Sequence, residues 1–345
     1  MRQYKLSITL AALTAVVISA CAPTAVGGSS GGTAGGGPSV ELAIVGFAVP
    51  KAANDAAQKA FAKTEQGKGA TWTTSYGASG DQSRAVESGL EADYVHFSLE
   101  GDVTRLVDAG IVSSEWNSGE HRGIVSDSVV VLVVRDGNPK NITGWDDLLR
   151  NDVKIVTPNP GSSGSARWNI LAAYGSVLAK GGDKQAAEEY LRKFFDNVAA
   201  LPGSGRDATT AFTSGTGDVL ISYENEAILA RQNGEDFDYV VPDSTLLIEN
   251  PAAVTRDADP AASRYLEFVL SDQGQKIFAS KGFRPVRSTV TVGTVEGAND
   301  PSSPFPQPRT LQTIAGTFGG WQSVNDEFFS ESGIVTRVQS EAGKQ

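Results

Sequence analysis

The run Val129-Val130-Val131-Leu132-Val133-Val134 limits the possible folds more than any other feature of this chain. Successive side chains of a strand point to opposite faces, so six consecutive apolar residues cannot make a half-exposed strand. Such a run needs cover on both sides, as in a sheet flanked by helices. The rest of the pattern agrees. Apolar stretches at 40–45, 71–74, 94–97, 153–156, 219–222 and 239–241 read as strands, with helical stretches between them. Asn54 reads as the cap of a helix reaching about Thr64, and Ser79 with Gln82 three residues later fits a capping box. Over Asp183–Asn197 the helical period puts Ala187, Tyr190, Leu191, Phe194 and Phe195 on one side. A late helix is expected over 263–279. The expected class is α/β, with two βα-rich segments of similar size and a cleft between them.

The first forty residues belong to a different kind of chain. Arg2 and Lys5 precede an apolar run from Leu6 to Ile18, which is shorter than the roughly 20 residues of a membrane span and reads as a signal peptide over 1–20. Cys21 is the single cysteine among 345 residues and follows Ser19-Ala20, a spacing that looks like a bacterial lipobox. With no partner in the chain it cannot form an internal disulfide. A Gly/Ser-rich tether follows to residue 39, a composition with nothing to bury. The expected arrangement is a folded body outside the cell, held to the membrane only through an N-terminal lipid. The formal net charge of −11 would become more negative on loss of Arg2 and Lys5, which argues against nucleic acid as a partner.

Catalytic groups are scarce. The two histidines, His96 and His121, have no metal-type neighbours at useful spacing, and no phosphate-binding loop of the P-loop type occurs. Gly27-Gly28-Ser29-Ser30-Gly31 matches a nucleophile elbow in letters only, since no strand precedes it. Gly203-Ser204-Gly205-Arg206-Asp207-Ala208 matches a dinucleotide-binding turn but lies deep in the chain, far from a first strand–helix turn. What remains are three Gly/Ser-rich turns, each before a helix: Tyr76–Gly80, Gly161–Ser165 and Leu201–Gly205. A helix N-terminus offers unpaired N–H groups and partial positive charge, and small residues let an anion approach the backbone. No cofactor or metal is expected.

Several segments resemble the periplasmic sulfate/thiosulfate-binding proteins. They are Asp136-Gly137-Asn138-Pro139-Lys140, Trp145-Asp146-Asp147-Leu148, Thr157-Pro158-Asn159-Pro160 with Ser162–Asn169, Gly217–Ile221 with Glu224–Ala227, and Phe318-Gly319-Gly320-Trp321. They run in order from about Leu42 to Val335. The resemblance implies a two-lobed periplasmic-binding-protein fold of type II. Its hinged cleft would hand sulfate or thiosulfate to the permease and ATPase of an ABC importer. Lobe I would comprise 40–128, lobe II 129–243, and 244–345 would complete lobe I and carry the C-terminal segment. The ligand set it implies is made of neutral donors. These are the N–H groups of Ala48, Ser79, Gly164, Ser165 and Gly205, the hydroxyl of Ser163, and Tyr223 where the family has an indole. Arg167 and Arg206 match family arginines and would steady the ligand-bearing peptides.

This chain departs from the family pattern at Tyr223, at Ser165 (a glycine in the family) and in the Ala48-Val49-Pro50 loop. Asp81 and Asp207 stand where the family has a basic and a small residue. A carboxylate in the cleft would accept the proton of monohydrogen phosphate and repel sulfate; as solvated first-turn residues the two would only favour their helices. Phosphate and molybdate or tungstate are the alternative ligands. From another class, an extracytoplasmic hydrolase using Ser163 or Ser79 would need a base that only the two histidines could supply. A surface scaffold without a small ligand is the third reading.

Overall fold

The computed structural model describes residues 40–344. The expected leader, Cys21 and the tether lie outside the described residues. The chain enters as β1 (Glu41–Phe47), α1 (Lys51–Phe61), β2 (Thr71–Gly77), α2 (Ser79–Glu87), β3 (Tyr94–His96) and α3 (Glu100–Asp108). β1 lies between β2 and β3 and is parallel to both. The long strand β4 (Ile124–Arg135) then leads into a second group. That group comprises β5 (Ile155–Val156), α4 (Gly164–Ala179), α5 (Lys184–Asp196), β6 (Val198–Ala200), α6 (Gly205–Thr213), β7 (Val219–Tyr223), α7 (Glu224–Gln232) and β8 (Phe237–Val240). β9 (Ser244–Val254) runs back, followed by α8 (Pro260–Leu270) and α9 (Asp272–Ala279). The chain ends in β10 (Thr310–Gln312), α10 (Ile314–Phe318), α11 (Trp321–Val324) and α12 (Ile334–Glu341). The strand order is β2-β1-β3-β9-β4-β7-β5-β6, with β10 on β9 and β8 on β4.

β4 and β9 carry the chain between the two groups. Residues Ile124–Val129 of β4 pair antiparallel with β9, and Val130–Val134 pair with β7. β9 meets β4 through Leu247–Pro251 and β3 through Ala252–Val254. The valine run lies at this crossing. Val130, Leu132 and Val134 join a core that includes Trp168, Leu171 and Ile221, while Val129, Val131 and Val133 point the other way, toward Phe212, Ala227 and Tyr239. None of the six is exposed. Burying each contributes about 1.5–3 kcal/mol, so this strand anchors both layers.

Several local expectations are corrected. α1 starts at Lys51 behind Pro50, and Asn54 is an interior residue, wholly buried, with Oδ1 3.3 Å from His96 Nδ1. No capping box forms at α2, because the Ser79 hydroxyl donates to Asp102 (2.6 Å) and Gln82 instead accepts from the Ser75 hydroxyl. The late helix is two helices, broken at Ser271, whose hydroxyl caps the Gly274 N–H. The amphipathic helix has the expected buried face, and Asp183 caps it by accepting from the Ala186 N–H. α8 and α9 pack on α1, but the C-terminal helices lie on α4 and α5, through Trp168–Trp321 and Tyr174–Phe328 ring contacts and an Arg192–Glu341 ion pair.

Candidate functional site

Helices α2, α4 and α6 each begin at a Gly/Ser-rich turn, and each leaves its first N–H groups without an acceptor inside the helix. At α2 the wiring is set by one hydroxyl. Ser79 Oγ donates to Asp102 Oδ2 and accepts from the Ser98 N–H at 2.9 Å, so the side chain is fully engaged within the protein. The Ser79 N–H finds no acceptor among the described residues. Asp102 is buried, and burial raises its pKa despite the Ser79 hydrogen bond and the charges of Arg167, Arg105 and Arg84. Its place beneath α2 holds the helix end in position.

The second group supplies the facing wall. The Tyr223 hydroxyl at the end of β7 lies 2.8 Å from Ser98 Oγ, across the join between the two strand groups. Burial raises the Tyr223 pKa, against hydrogen bonds from Ser98, Ser165 and Asn250, so the phenol keeps its proton. Ser98 is held on its other side as well, its carbonyl accepting from Trp168 Nε1 (3.0 Å) and Asn250 Nδ2 (3.2 Å). Gly164 packs directly on it: a Cβ there would lie 2.6 Å from Ser98 Oγ and 2.8 Å from Leu99 Cγ. Gly205 packs on Ser165 in the same way, with a Cβ falling 2.9 Å from Ser165 Oγ. Ser163 is buried, and its hydroxyl makes no hydrogen bond among the described residues. At the rim, the Gly80 N–H donates to the Ser162 carbonyl at 3.3 Å.

Ser79, Gly164 and Tyr223 thus meet at Ser98, with Ser163 next to Gly164 in the chain, Ser165 on Tyr223, and Gly205 on Ser165. Ala48 does not join them as a donor. The register of β1 against β2 directs its N–H to the Gly77 carbonyl at 2.9 Å, which removes it from the expected ligand set. Arg206 forms a two-pronged pair with buried Glu226 (2.6 and 3.0 Å) and touches the Val49 carbonyl at 3.4 Å. Arg167 bonds Asn325 and the Pro160 carbonyl just before α4. Asp81 and Asp207 are both exposed. The first pairs with Arg84 and the second accepts from its own cap, Ser204, so neither carboxylate enters the cluster. His96 is enclosed, between Asn54 and Ser126, and burial lowers its pKa to about 3.

Ser98 and Asn250 went unnoticed in the sequence. One signal existed for Ser98, which directly follows the apolar stretch 94–97. Ligands in open α/β sheets bind beyond the carboxyl ends of strands. Asn250 gave none, since nothing marked 244–254 as a strand.

Neutral donors at three helix starts, between two strand groups joined by a pair of crossing strands, define a solute-binding protein of the periplasmic type. The chain belongs to the bacterial extracellular solute-binding protein family, whose model matches residues 42–284. A sulfate-binding protein of Synechococcus elongatus is 39% identical over 351 aligned positions, covering 98% of this chain and 96% of the relative. A thiosulfate-binding protein of Escherichia coli is 34% identical, covering 83% and 86%. Among solved structures, the sulfate-binding protein SubI of Mycobacterium tuberculosis superposes with a TM-score of 0.79 at 45% identity, over 84% of this chain and 99% of that one.

Proposed function

We propose that the chain captures sulfate between its two strand groups and delivers it to an ABC permease with its ATPase, without transforming it. The observation that carries this reading is the approach of the α2 and α4 starts and the Tyr223 hydroxyl to Ser98, with the α6 start packed on Ser165; the buried Asp102 carboxylate beneath α2 is engaged by the Ser79 hydroxyl. Sulfate carries no proton at neutral pH, so a wall of donors suits it, and helix N-termini add favourable partial charge. The ligand donors are the N–H groups of Ser79, Gly164, Ser165 and Gly205 with the hydroxyls of Ser163 and Tyr223; Ser98 positions Tyr223. Arg167 and Arg206 steady the peptides around them. The names of the relatives support sulfate, with thiosulfate as the second ligand.

The two strand groups act as lobes that open about β4 and β9. The N-terminal segment 1–20 acts as a leader cleaved before a lipidated Cys21, which holds the body at the outer face of the cell membrane. Calorimetric titration with sulfate, thiosulfate, phosphate and molybdate tests the ligand. Saturable sulfate binding that ignores phosphate is expected, whereas phosphate preference or silence toward all four would overturn the reading. Labelling of Cys21 with a fatty-acid analogue in a bacterial host tests the anchor; absence of label would remove it.

A further inference from the structure

Outside the Gly80–Ser162 rim lies a cavity of about 370 Å³ whose walls include Gly80, Ser163 and Gly164 from the rim and ligand cluster together with Arg84, Arg105 and Arg167. Three guanidiniums thus share one hollow in a chain with a net charge of −11. They share the charge of Asp102, and their direct ion pairs are incomplete. Arg167 makes no ion pair among the described residues: it bonds the neutral Asn325 and Pro160 carbonyl groups and stacks over Phe329. Arg105 reaches Glu87 only at 3.8 Å, and its Nε is buried without an acceptor. Arg84 leans on Asp81 at the exposed edge. Of the two carboxylates that also line the hollow, Asp102 turns an oxygen to the Ser79 hydroxyl and Asp326 accepts from Gln322. Burial lowers the Arg167 pKa, the charge of Asp102 opposes that shift, and the neighbouring charges of Arg105 and Arg84 add to it.

We propose that this hollow is a second, outer anion site, in which free sulfate is first gathered by Arg84, Arg105 and Arg167 before it passes the rim to Ser163 and Gly164. The inference rests on the sulfate reading above. A cleft lined by one sign of charge raises local ligand concentration and speeds association, while the neutral inner cluster sets the lifetime of the complex. The two sites therefore divide the kinetics.

Stopped-flow Trp fluorescence with sodium sulfate, on the unmodified chain and on variants, reads that division at several chloride concentrations. Arg84→Gln with Arg105→Gln should lower kon about tenfold at low salt, leave koff within about twofold and flatten the salt dependence. Glu87→Gln, which releases Arg105, should raise kon, a change that misfolding cannot mimic. An unchanged kon in both variants, or a loss confined to koff, would overturn the outer site and leave these arginines as counterions of Asp102. If the unmodified chain binds no sulfate, the proposed function falls and the outer site falls with it, an outcome distinct from normal binding with an unaffected kon.

Discussion

Ser163 and His96 show how burial gives two polar residues opposite fates. Ser163 is buried with its hydroxyl unanswered by the described residues, beside the first N–H groups of α4. Replacing it with alanine should weaken sulfate binding by about 1–3 kcal/mol with no loss of thermal stability, as read by calorimetry and a melting scan. Unchanged affinity would take the hydroxyl out of the ligand set. His96 is enclosed and stays neutral in the folded chain, its pKa lowered to about 3. Its contribution to stability is therefore fully present above the unfolded value near 6.5 and is lost as pH falls toward 3. The loss should amount to about 1.4 kcal/mol per pH unit across that window. Urea midpoints at pH 7, 6 and 5 should fall more steeply for the natural chain than for His96→Gln. Parallel curves would mean that His96 accepts a proton without unfolding.

At the scale of elements, the helices were easier to read than their boundaries. The buried face of α5 follows from a 3.6 period alone, and Asp183 sits where a cap belongs. Asp183→Ala should cost about 1 kcal/mol in urea denaturation and leave sulfate affinity unchanged. A change in affinity would tie α5 to the site. The failures have local physical causes. Ser79 looked like a cap because Gln82 follows at the right distance, but the partner that claims its hydroxyl, Asp102, is distant in sequence. Asn250-Pro251 interrupts the apolar pattern of β9, and proline counts against a central strand. In the structure Pro251 lies opposite Ile124, where the β4 register shifts, so its missing N–H falls at an irregular point of the ladder. Ala48 was assigned as a donor because its loop follows β1, yet only the β1–β2 register shows that its N–H is already bonded.

For the whole molecule, the glycine turns were legible as anion-binding helix starts, whereas their convergence was not. It depends on which strands lie side by side, and on Ser98 reaching Tyr223 from across the sheet. A second long-range link lies just behind Tyr223. Glu224 and Arg284 form a buried ion pair (2.7 Å), and Arg284 also holds the Pro306 carbonyl, tying the irregular stretch before β10 to the start of α7. Removing one partner leaves a buried charge alone, so Arg284→Met should cost about 3–5 kcal/mol in chemical denaturation. A much smaller loss would show that water reaches Glu224.

The crossing by β4 and β9 has a mechanical meaning. Two hydrogen-bonded antiparallel strands side by side behave as a flat leaf spring. Their ladder bonds run across the strip, so flexing it out of its plane keeps every bond, while sliding one strand along the other would break them. In the proposed opening the two halves would swing apart without sliding past one another, so the hollow would stay beside the mouth between them. An anion-collecting hollow has value only beside a mouth whose position is fixed in this manner.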